Sequence, residues 1–175
     1  MGRSYWFHCL KCGYKFDAFL GVGFCFPIEY QQIMHDAAEG KYGESVQQFL
    51  KAYPDGVLNC DRVLLQCTCC DVLSVRPDLS MWIPKYGCIS GSGVGYSAAH
   101  ADQSRDIAVP WDLDRYQLVR HYEHTCEQCG KPMRVMAKDD ELSCKYIFGT
   151  KKLQTGIHCP VCREKMLLDT MGFWD

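Results

Sequence analysis

A chain of 175 residues with 47% hydrophobic content can bury a core of its own, as one domain or as two small ones. No apolar run approaches the ~18 residues a membrane helix needs. Met1-Gly2-Arg3-Ser4 opens no apolar stretch with a small-residue cleavage site, so a secreted chain is not expected either. The 19 basic and 21 acidic side chains leave a formal charge of -2, which excludes a global pull on a phosphate backbone and restricts any RNA or DNA contact to a local basic surface.

In chain order, Tyr5-Trp6-Phe7-His8 is an aromatic run suited to a short strand. It enters the turn Cys9-Leu10-Lys11-Cys12-Gly13 and leaves through Tyr14-Lys15-Phe16. Residues 28–53 predict helix in two pieces. Ile28, Ile33 and Ala37 mark a broken apolar stripe, Gly40 and Gly43 interrupt it, and Val46, Phe49, Leu50 and Tyr53 resume at helical spacing. Pro54-Asp55-Gly56 ends the second piece. Arg62-Val63-Leu64-Leu65-Gln66 predicts a strand into Cys67-Thr68-Cys69-Cys70, and Asp71-Val72-Leu73-Ser74-Val75 the strand out. Trp82-Ile83-Pro84 is expected to pack onto this first module. The glycine-rich run 87–95 suits neither a helix nor a central strand and predicts a connector or a backbone-mediated binding loop. Trp111 to Tyr122 forms an aromatic-rich approach to Cys126-Glu127-Gln128-Cys129-Gly130. Pro132-Met133-Arg134-Val135-Met136 follows as a strand. The last turn is Cys159-Pro160-Val161-Cys162, with Met166-Leu167-Leu168 beyond it.

The outlying feature is 13 cysteines. An odd count, tight Cys-x-x-Cys pairs and no expectation of secretion favour metal-bound thiolates in a reducing compartment over disulfides. Cytoplasmic localisation is the corresponding expectation. Two residues between cysteines let one turn aim both sulfurs at a single ion, and a second turn completes the tetrahedron. Four thiolates leave no open position for water, so such a site holds structure and activates no nucleophile.

On these knuckles the chain resembles the zinc-ribbon, or rubredoxin-like, class, which pairs two Cys-x-x-Cys knuckles around one tetrahedral zinc. The resemblance implies two structural Zn2+ ions. Cys126, Cys129, Cys159 and Cys162 match one ribbon; by the same logic Cys9, Cys12, Cys67 and Cys70 form the other, with the helical segment inserted between its halves. Sequential pairing is expected because longer loops carry more closure entropy; cross-pairing of the four knuckles stays open. Cys69, His8, His124 and His158 lie where they could replace a ligand, and flanking roles are the simpler reading. Cys25, Cys60, Cys88 and Cys144 read as small buried hydrophobes.

The expected fold is thus small α+β: two zinc-ribbon-like antiparallel β modules, the first carrying a helical insertion. The N-terminal module spans 1–86 with its insertion at 28–53, the Gly-rich connector or binding loop 87–110, and the C-terminal module 111–175. The expected function is a noncatalytic zinc-stabilised interaction or adaptor protein with a protein partner. A second reading is a nucleic-acid-binding accessory protein, since residues 130–169 carry more Lys and Arg than Asp and Glu. Lys151, Lys152 and Arg163 would contact phosphates there, with Tyr146 and Phe148 stacking on bases. A third, weaker reading is an enzyme using Cys88 with His100 and Asp102. His35, Asp36 and Glu39, and Asp112 with Asp114, read as solvated faces. Sequence sets neither the partner nor the oligomeric state.

Overall fold

The computed structural model describes residues 2–23, 26–85, 115–137 and 153–174. The Gly-rich run, Cys25, Cys88, His100, Asp102, Asp112, Asp114, Cys144, Tyr146, Phe148, Lys151 and Lys152 lie outside the described residues. The described chain is a small α+β fold, with antiparallel strands in three sheets and two helices. It divides into two compact units: Met1–Phe24, Asp61–Pro77 and Glu123–Asp175 form the first, Cys25–Cys60 and Asp78–Tyr122 the second.

In the first unit, β1 (Gly2–His8) and β2 (Lys15–Leu20) flank the first knuckle. Its second sheet contains β4 (Arg62–Cys67), β5 (Leu73–Pro77) and β8 (Met133–Ala137). Near the C-terminus, β9 (Leu153–His158) and β10 (Lys165–Trp174) flank the last knuckle. The four-stranded sheet has the order β2-β1-β10-β9, and the three-stranded one β5-β4-β8. The first and last strands therefore pair, antiparallel, from Gly2↔Trp174 to His8↔Leu167. That pairing sets the first knuckle beside the last.

Strand β4 explains much of the unit's interior. Its neighbours on both edges and its continuous burial from Val63 to Cys67 fit the apolar run in the sequence. Side chains alternate across a strand. Leu64 belongs to the core with Tyr5, Phe7, Ala18, Leu20, Ile157, Met166 and Leu168. Val63, Leu65 and Cys67 belong to a second cluster with Cys126 and Met133. β4 is thus the partition between two apolar cores.

The second unit holds α1 (Phe26–Ala38), α2 (Glu44–Ala52) and a sheet of order β3-β6-β7, where β3 is Val57–Leu58, β6 Met81–Pro84 and β7 Tyr116–Arg120. The two helical pieces fall on either side of Gly40 and Gly43, as the sequence predicts, and α2 buries Val46 and Phe49. His35 and Glu39 lie on a solvated face, 3.5 Å apart, while Asp36 is half-buried with Lys41 Nζ 2.6 Å away. Trp82-Ile83-Pro84 pairs with Val57 of β3 and with β7, inside this second unit. No described helix is long and apolar enough to cross a membrane.

Candidate metal centres

All four knuckles have one backbone construction. The N–H of the first cysteine donates to the carbonyl five residues on: Cys9 to Tyr14 (2.8 Å), Cys67 to Val72 (2.9 Å), Cys126 to Lys131 (2.8 Å) and Cys159 to Glu164 (2.8 Å). The residue after the second cysteine is left-handed in each: Gly13 (φ 74°), Asp71 (φ 56°), Gly130 (φ 67°) and Arg163 (φ 61°). Glycine adopts this conformation freely, Asp tolerates it, and Arg rarely does. The glycine signal visible at positions 13 and 130 therefore marks a turn that Asp71 and Arg163 build as well.

The knuckles meet in two four-sulfur groups: Cys9, Cys12, Cys159 and Cys162 in an outer cluster, and Cys67, Cys70, Cys126 and Cys129 in an inner one. The expected sequential pairing is corrected to a nested one. Each doubling of a closed loop costs only about 0.6 kcal/mol. The longer loop from Cys12 to Cys159 therefore costs on the order of 1 kcal/mol more than the sequential alternative. The β1–β10 ladder and the core beneath it outweigh that. A sequence signal for the nesting existed. The outer knuckles share a His-Cys-x-x-Cys-x-x-Lys pattern, at His8 to Lys15 and His158 to Lys165, which the inner two lack.

Sulfur separations are 3.4 Å for Cys9–Cys162, Cys12–Cys159 and Cys67–Cys129, 3.6 Å for Cys70–Cys129 and 3.7 Å for Cys70–Cys126. A disulfide requires about 2.05 Å. A zinc tetrathiolate with Zn–S near 2.3 Å has tetrahedral edges of about 3.8 Å. The donor sets thus fit zinc-ribbon-like metal sites. In each, the first cysteine of a knuckle is buried and its partner lies nearer solvent.

Charge within the clusters has the same implication. The Cys70 amide, with that of Cys69, draws the Cys67 thiol down to about 6, and the Cys12 amide draws Cys9 down to about 7. Facing sulfurs move the other way. Despite the Tyr14 amide, burial and the Cys159, Cys162 and Cys9 sulfurs push Cys12 up to about 12. Despite the Lys131 amide, the Cys67 sulfur and burial push Cys129 up to about 12. Four sulfurs this close cannot all be anionic unless a cation sits among them.

The flanking candidates stand outside these sulfur groups. Cys69 is exposed, and its amide points at Cys67 Sγ at 3.4 Å. His124 is buried, and its carbonyl accepts from Met133 N–H at 2.8 Å. His158 serves through its backbone, which pairs with the Gln66 side chain. His8 is half-buried, with Nδ1 lacking a hydrogen-bond partner. Cys60 is a buried thiol whose Sγ lies 3.6 Å from the Leu58 carbonyl. Arg163 is exposed at the last knuckle, and its Nε lies 3.4 Å from the Asp71 carboxylate.

Sequence reasoning missed Gln66. It is 1% exposed at the end of β4, and its side-chain amide grips the backbone of His158. The only signal for it was one amide at the end of an apolar strand.

Compared with protein-family models, with curated proteins and with solved structures, the chain matches none. Among the described residues, fold and knuckle geometry give two four-cysteine groups that fit zinc-ribbon-like metal sites.

Proposed function

We propose that this is a noncatalytic, zinc-stabilised interaction or adaptor protein. Two structural Zn2+ ions, one per cluster, would hold its first unit, and a protein partner would be bound in a reducing, cytoplasmic setting. The observation that carries the reading is the closed donor set. Each centre supplies four thiols at tetrahedral spacing, which leaves an ion no free position for water or substrate. Zinc suits such a set better than other common divalent ions, being redox-inert and content with four sulfurs. The adaptor part draws on the chain's organisation. The metal-bearing unit is interrupted twice, and the two interrupting segments assemble into a unit with its own sheet and helices. A metal-held unit whose chain is interrupted by a second unit suits recognition.

Native mass spectrometry of freshly purified full-length protein tests this. Two zinc ions per chain and a co-purifying protein mass are the expected result. One ion or none, or a mass deficit from disulfides, would overturn the metal reading. Nucleic acid co-purifying in place of protein would replace the adaptor reading with the nucleic-acid one.

A further inference from the structure

We propose that Gln66 couples the two metal centres, so that loading either one raises the affinity of the other. This rests on the metal reading above. Gln66 immediately precedes Cys67 of the inner cluster, and His158 immediately precedes Cys159 of the outer one. Gln66 Nε2 donates to the His158 carbonyl at 2.6 Å and to the Asp71 carbonyl at 3.1 Å, while Oε1 accepts from the His158 N–H at 3.2 Å. One amide therefore spans both ends of an inner knuckle and seizes the peptide that leads into an outer knuckle. The Asp71–Arg163 ion pair repeats the link at the surface, between the left-handed residues of those same two knuckles.

Burying a primary amide is costly unless its polar atoms are paired. An apolar residue would continue the β4 run without that cost, so core packing alone gives no reason for glutamine here. The position also follows from strand geometry. Val63, Leu65 and Cys67 belong to the inner cluster's core, and Gln66, one residue out of step, faces the opposite way with Leu64.

The coupling is entropic and geometric. Without metal, a knuckle must be ordered when its ion binds. The first ion fixes one knuckle, the Gln66 bridge holds its neighbour in place, and the second ion meets a site already partly ordered. Couplings of this kind change affinity by about 5- to 150-fold.

The test is a zinc titration of metal-free full-length protein, read as zero-, one- and two-ion species by native mass spectrometry. Independent sites, equal or unequal, leave half or more of the chains singly loaded at half saturation. Positive coupling depletes that species. The wild type should show the depletion, and Gln66→Leu should abolish it while still taking two ions at excess zinc. A singly loaded fraction at half saturation that is the same in the wild type and in Gln66→Leu would overturn the proposal. If Gln66→Leu does not fold, the outer centre is disabled with Cys12→Ser and Cys162→Ser, and the inner centre's affinity is read by chelator competition. It should fall at least about 5-fold below the wild type's second loading step; an unchanged value would refute the coupling. A wild-type chain that binds no zinc would sink the metal reading itself, a different and recognisable failure.

Discussion

The outer and inner clusters have the same donors and the same knuckle backbone, yet their apolar support differs. The outer knuckles are brought together by the β1–β10 ladder over a core that includes Tyr5, Phe7, Leu20, Ile157, Met166 and Leu168. The inner knuckles rest on a shorter β4–β8 pairing and on Val63, Leu65 and Met133. A large buried apolar side chain contributes roughly 1.5–3 kcal/mol. If both centres hold an ion as proposed, the outer ribbon should keep much of its stability without it, and the inner one should depend on its ion for most of its stability.

Removing the metal tests this comparison most severely. Cys126→Ser should drop the zinc count from two to one and lower the denaturant midpoint more than Cys12→Ser does. Structural zinc supplies on the order of 10 kcal/mol in small domains, so the gap should be plain in urea unfolding followed by tryptophan fluorescence. Equal losses would erase the distinction. Acid acts in the same direction. Cys67 at about 6 and Cys9 at about 7 lie below the ordinary thiol value of 9.0. Their contribution to stability is complete above that value and is lost as pH falls through 7 and then 6. In the metal-free chain, stability measured from about pH 8 down to about pH 5 should decline, because Cys12 and Cys129, held up at about 12, stay protonated across that window and do not offset the loss.

The apolar side of the comparison is tested by Phe7→Ala. It should cost about 3–5 kcal/mol by chemical denaturation, with two ions still bound at excess zinc. Next in size is Gly172→Ala. A β-carbon there would meet Ser4 Oγ at 2.9 Å and the Trp6 ring at 3.0 Å, so a loss of about 1–3 kcal/mol is expected from overpacking the outer sheet. Gly13→Ala meets no atom within 4 Å, and its cost of about 1 kcal/mol would come from φ alone. The smallest effect belongs to Cys69→Ser. With Cys69 exposed and outside both sulfur groups, stability should stay within about 0.5 kcal/mol and the zinc count unchanged.

Much of this was legible because it is local. A Cys-x-x-Cys turn is a short-range object, and its glycine, flanking strands and thiol chemistry lie within a few adjacent residues. The helical pair at 28–53 was legible for the same reason, since apolar spacing and Gly40, Gly43 and Pro54 act over single turns. Gln66 was not, because its meaning depends on His158, far along the chain.

The sequence by itself determined that eight cysteines form four knuckles with the ligand chemistry of a metal site. Which knuckle faces which was decided only in three dimensions. Loop closure distinguishes the pairings by a logarithm and so barely distinguishes them. Pairing of the first strand with the last, and packing on both faces of β4, are cooperative and long-range, and they nest one cluster within the other.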